Sequence, residues 1–83
     1  MRKDVLRDLG IELSMNERQL AEAEGRLVVF TVCESDEDRH AYFGRGFCEA
    51  RTVEAIRRVL ENKVDTLTRK CRILSTAIAT ATA

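Results

Sequence analysis

The stretch Leu27–Phe47, LVVFTVCESDEDRHAYFGRGF, decides how this chain folds. Its first part is built from β-branched and aromatic residues, the side chains that fit a pleated surface best. Leu27, Val29, Thr31 and Cys33 would point to one face of a strand, and Val28, Phe30 and Val32 to the other. Both faces are apolar, the mark of a strand covered on two sides. The acidic run Glu34–Arg39 then reads as a solvated turn. A second strand follows over 40–48, with Tyr42, Phe43 and Phe47 around Gly44 and Gly46. Glycines inside a strand mark a bulge or a close backbone approach. This spacing predicts a β-hairpin over 26–48.

Outward from the hairpin the period changes from two to seven. On the N-terminal side Leu6, Leu13, Leu20 and Leu27 recur every seven residues, with Leu9, Asn16 and Ala23 three positions on. That is a heptad seam, weakened by Asn16 and Ala23. It predicts a helix over 3–24, stopped by Gly25, since glycine commonly follows the last helical turn. Gly10 and the capping-box pattern Ser14–Glu17 mark a soft spot within it. On the C-terminal side Thr52 reads as an N-cap. Val53, Leu60, Leu67 and Leu74 share one heptad position, Val64, Cys71 and Ile78 another, and Arg57 is the polar exception. A helix over 52–79 follows, about 40 Å long. The threonine-rich tail STAIATATA is expected to fray. The seam residues of the pair are Leu13, Leu20, Val53, Leu60, Val64, Leu67 and Cys71.

Composition narrows the function classes. At 83 residues the chain makes one domain, 1–83, near the lower limit for an independent core. Charged residues reach 34%, as in exposed helices, and proline is absent, so nothing breaks a long helix. Lys plus Arg equals Asp plus Glu, 14 each, without the basic excess of a nucleic-acid binder. Cys33, Cys48 and Cys71 form no CxxC pair, and with His40 as the one histidine they read as small buried hydrophobes rather than zinc ligands. Glu34–Asp38 lacks the glycine and terminal glutamate of a calcium loop. Nothing pairs a nucleophile with His40, and no catalytic residue, metal or cofactor is expected. The charged N-terminus is unlike a signal peptide, and no apolar run is long enough for a membrane. A cytoplasmic protein is the expectation.

A lone two-stranded hairpin is marginal in water. With both faces of its first strand apolar, the predicted hairpin needs neighbours to cover it, and bare edges would aggregate. The expected solution is a sheet shared among several chains, from which the helices project as an antiparallel coiled coil. The fold class expected is therefore mainly α: helix, β-hairpin, helix, with the hairpin joining an intersubunit barrel.

The run AYFGRGFCEARTVEAIRRVLENKVDTL, Ala41–Leu67, resembles the β-class prefoldin pattern of a tyrosine, a glycine, an aromatic, then a helix opening on Glu-Ala-Ile. GRGF at Gly44–Phe47 and EAI at Glu54–Ile56 are most like the subunit-1 type, and the likeness covers Leu27–Leu74. The first helix is shorter than in that family, and CEARTV separates Phe47 from Glu54. The resemblance implies an ATP-independent co-chaperone in which six subunits join their hairpins into a double β-barrel. The coiled coils hold unfolded clients such as actin and tubulin chains at their tips and deliver them to a group II chaperonin. It places assembly on Leu27, Val28, Val29, Phe30, Val32, Tyr42, Phe43, Gly44 and Phe47, and client contact on Val5, Leu6, Leu9, Ile73, Leu74 and Ile78. The partners implied are other such subunits, unfolded clients and the chaperonin, with neither nucleic acid nor membrane. The alternatives are a coiled-coil adaptor without a client of its own and a winged-helix DNA binder. The acidic hairpin tip argues against the second, because phosphates would repel it.

Overall fold

The computed structural model describes residues 3–83. Its elements are four helices: α1 (Lys3–Val32), α2 (Asp36–Phe43), α3 (Arg45–Glu49) and α4 (Val53–Thr82). The long helices α1 and α4 run antiparallel along one another, and the two short ones close one end of the hairpin between them. The molecule is mainly α, as expected, and elongated, 52 × 20 × 17 Å. Its long axis fits thirty residues at about 1.5 Å each plus the closing turn.

The hairpin predicted over 26–48 is not there. Among the described residues there is no strand, and LVVFTV is the last part of α1. Gly25 does not stop the helix, because the heptad runs straight through it. Leu27 follows Leu20 by seven and Phe30 follows Ala23 by seven. Each β-branched residue gives up only about half a kcal/mol of helix propensity, whereas a buried large apolar side chain contributes about 1.5–3 kcal/mol. Phe30, 3% exposed, decides the contest. Val28 and Val32, which an all-covered strand would bury, lie exposed on the outer side of the helix.

The acidic run is a helix start rather than a turn tip. Ser35, in extended conformation, caps α2: its hydroxyl accepts from the Asp38 amide at 3.2 Å, while the Asp38 carboxylate accepts from the Glu34 amide at 3.3 Å. Asp36, Glu37 and Asp38 fill the first turn, where the helix dipole favours anions. Gly44 separates α2 from α3 with φ +93°, the sole positive φ among the described residues and a conformation that needs glycine. Thr52 caps α4 as expected, its hydroxyl accepting from the Ala55 amide at 3.1 Å. The tail does not fray: α4 continues to Thr82, with Leu74 buried and Ala77, Ile78 and Ala81 half-buried against α1.

Candidate interaction site

The closed end of the hairpin is an aromatic plug. Phe30, Cys48, Ile56 and Leu60 are buried together, with Leu27, Phe43 and Phe47 packed against them. The Phe30 and Phe43 rings meet edge to face at 6.0 Å, and Phe43 stacks on Phe47 at 6.2 Å. Three guanidinium groups cover the outside: Arg26 over Phe43, Arg51 over Phe47 and Arg57 over Phe30, at 5.4, 4.3 and 5.3 Å. Arg57, the polar exception in the heptad, thus has a packing role at the plug. Cys48 gives its thiol hydrogen to the Arg39 carbonyl at 3.5 Å.

These contacts redistribute the residues expected to join subunits through a barrel. Phe30 is buried within its own chain, and Leu27, Val29, Phe43 and Phe47 are half-buried there. Val28, Val32 and Tyr42 are exposed on helices, which offer no strand edge, and Gly44 is exposed between α2 and α3. Leu13, Leu20, Leu60, Val64, Leu67 and Cys71 are all buried or half-buried along α1 and α4. Val53 is exposed instead, at the first turn of α4 before the seam begins. Asn16 lies at its seam position and donates to the Glu12 carbonyl of its own helix at 2.8 Å. Of the residues expected at the tips, Leu74 is buried, and Leu6, Leu9 and Ile78 are half-buried in the seam. Ile73 is open, at 61% exposure, and Val5 is partly so.

The sequence reading does not include an open groove between the long helices. A groove of about 560 Å³ runs along one side of the hairpin between α1 and α4. Ala23 and Leu60 form its floor, Phe47 and Val59 its apolar walls, and Glu22 and Lys63 stand on opposite rims. It exists because Ala23, the smallest residue in the α1 seam, leaves space beside Leu60. Residues seven apart share a helix face, so Met15, seven before Glu22, and Ile73, seven after Thr66 on the groove wall, extend this face toward the open end. Val5, fourteen before the groove-lining Gln19, continues it further. Four large apolar residues with open surface, Val5, Met15, Val59 and Ile73, therefore line one side of the molecule. The reverse side carries Glu17, Glu24, Glu54, Arg58, Glu61, Asp65 and Arg72. The sequence does carry a signal for this: a second set of apolar residues beside the heptad on one flank, and charges of both signs on the other.

Among the described residues, no group of three His, Cys, Asp or Glu could hold a metal ion, and Cys33, Cys48 and Cys71 are free thiols. Asp36 has a carboxyl held below its ordinary range by the hydrogen bond and charge of Arg39, 2.8 Å away. Asp36 is exposed and Arg39 mostly covered, and both border a pocket of about 330 Å³ with His40 and Cys48. No described helix is long and apolar enough to cross a membrane. No family model matches this chain, and neither does any curated protein or solved structure.

Proposed function

We propose that this protein is a non-catalytic helical-hairpin assembly subunit: an adaptor that works by presenting one long face to another protein. The observation that supports it is the alignment of Val5, Met15, Val59 and Ile73 on one face, with Met15 and Ile73 both more than half open beside an unfilled groove. Scattered single apolar residues on a surface are ordinary, whereas a run aligned on one face marks a contact site. The test is native mass spectrometry of the full chain purified from its source cells. A stable complex that Ile73→Asp dissolves, with helix content retained, is the expected result. A free monomer indifferent to that substitution would refute the assignment.

A second reading keeps the co-chaperone expectation, in which the open end of the hairpin holds unfolded clients without ATP. The exposure of Ile73 toward that end favours it. The barrel that would gather six subunits has no strands to form from here, so the client-holding part stands without that architecture, and chaperonin delivery rests on the resemblance alone. Suppressed aggregation of a denatured client, abolished by Ile73→Asp, would support this reading. Unchanged aggregation would remove it.

A further inference from the structure

We infer that the partner on the groove face is a second copy of this chain, which seats α1 on the neighbour's α4 to complete an antiparallel four-helix bundle. This inference rests on the assembly reading above and names its partner.

The exposed area matches what a dimer interface needs. The chain exposes 6207 Å² of accessible surface. A compact monomer of its 9.4 kDa mass exposes about 5000 Å². The excess of roughly 1200 Å² exceeds the ~800 Å² that each partner contributes to a stable interface. The footprint is adequate too, since a face 52 Å long and 20 Å wide covers about 1000 Å². The radius of gyration, 16.8 Å, against ~12 Å for a compact chain of this length, says the same. Two hairpins laid face to face would remove this excess on both.

The two edges of this face also differ in charge. On the groove face the α1 edge carries Asp8, Glu12 and Glu22, at seven-residue steps from the groove-lining Met15 row and Gln19 row. The α4 edge carries Lys63 and, seven residues on, Lys70. Arg7, Arg18 and Arg26 are basic residues beside this edge, and Arg26 is engaged over the Phe43 ring. No ion pair within 4 Å joins the two edges across the groove among the described residues. Glu12, Glu22, Lys63 and Lys70 are therefore available to a partner, while Asp8 pairs with Arg7 at 3.8 Å.

These charges choose between the two ways in which like faces can meet. A two-fold axis across the helices would set α1 on α1 and lysines on lysines. An axis along the helices sets α1 on the neighbour's α4 at equal height. Glu22 then lies near the height of the neighbour's Lys63, and Glu12, ten residues back along α1, near that of its Lys70, seven residues on along antiparallel α4. Met15 and the neighbour's Ile73, three residues from Glu12 and from Lys70 respectively, fall in the same stretch, and the two plug ends lie together with Phe47 and Val59 closing the groove. Acid on base steers this pairing and penalises the other.

Sedimentation equilibrium of the full chain at micromolar concentration should give twice 9.4 kDa. Met15→Asp and Ile73→Asp should each raise the dissociation constant about tenfold or more, with helical circular dichroism retained, while Arg58→Glu on the reverse side should leave it unchanged. The pairing is tested by two charge-reversed chains, one Glu12→Lys/Glu22→Lys and the other Lys63→Glu/Lys70→Glu. Each should dimerise weakly alone, and the mixture should restore a tight heterodimer. A monomeric wild type, a dimer indifferent to Ile73→Asp, or a mixture no tighter than its parts would overturn the inference. If the wild-type monomer binds a different helical protein through Ile73, only the second copy is excluded and the assembly reading stands. A monomer that binds nothing ends both.

Discussion

Phe30 and Val28 sit two residues apart, and truncating each to alanine separates a helical middle segment from a pleated one. In a strand buried on both faces the two side chains would be comparably costly to remove. In α1 they differ: Phe30 is 3% exposed and touches Phe43, Cys48, Ile56 and Leu60, while Val28 is 63% exposed. Phe→Ala in a packed core costs about 3–5 kcal/mol, the transfer of the ring plus the cavity it leaves, including its edge-on contact with Phe43, itself about 0.5–1.5 kcal/mol. A domain of this length has roughly 4–12 kcal/mol in total, so Phe30→Ala removes a large share and can unfold the chain. Val28→Ala should stay within about 0.5 kcal/mol, the range of surface changes. Urea denaturation followed by circular dichroism, at one protein concentration, gives both values. Should Phe30→Ala prove unfolded, Phe30→Leu supplies a measurable intermediate loss. A Val28→Ala loss as large as that of Phe30→Ala would refute the helical placement.

Three further outcomes follow from the geometry. Gly25→Ala should raise stability by about 1 kcal/mol, because the residue lies inside α1 and an added methyl meets nothing within 4 Å; the urea midpoint reads it. Gly44→Ala should lower stability by about 1–2 kcal/mol, since φ +93° is strained for any L side chain even though the space is open. The Asp36 carboxyl should titrate below its usual value in an NMR pH series, and Arg39→Ala should return it. With a lowered folded pKa, whatever Asp36 contributes is present above the ordinary carboxylate value and fades as pH falls through the folded one; at an exposed site that contribution is small.

The two long helices were legible because their seams repeat over several heptads, and Thr52 announced the start of α4. The middle was misread for a physical reason. LVVFTV has strand propensity on both faces, and a short apolar run does not distinguish strand from helix by periodicity alone. The deciding information lay in Leu27 and Phe30 continuing the upstream heptad and in the Ser35–Asp38 cap with its three first-turn acids. Gly25 taken locally is a helix-stopping residue, but the seam of Leu20, Ala23, Leu27 and Phe30 bridges it. The tail was underrated likewise: threonine is a weak helix former, but Ile78 and Ala81 keep α4 docked on α1. The groove face depends on Ala23 lying beside Leu60 across two helices, a pairing that requires the antiparallel register.

The plug and the groove both require α1 to continue unbroken through Gly25 to Val32. Cα secondary chemical shifts of Arg26–Val32, measured on the full chain in solution, test this most directly. Consistently positive helical shifts, joined by ring contacts from Phe30 to Ile56, are the predicted result. Negative shifts through Val28, Phe30 and Val32, with cross-strand contacts to Tyr42, would contradict it.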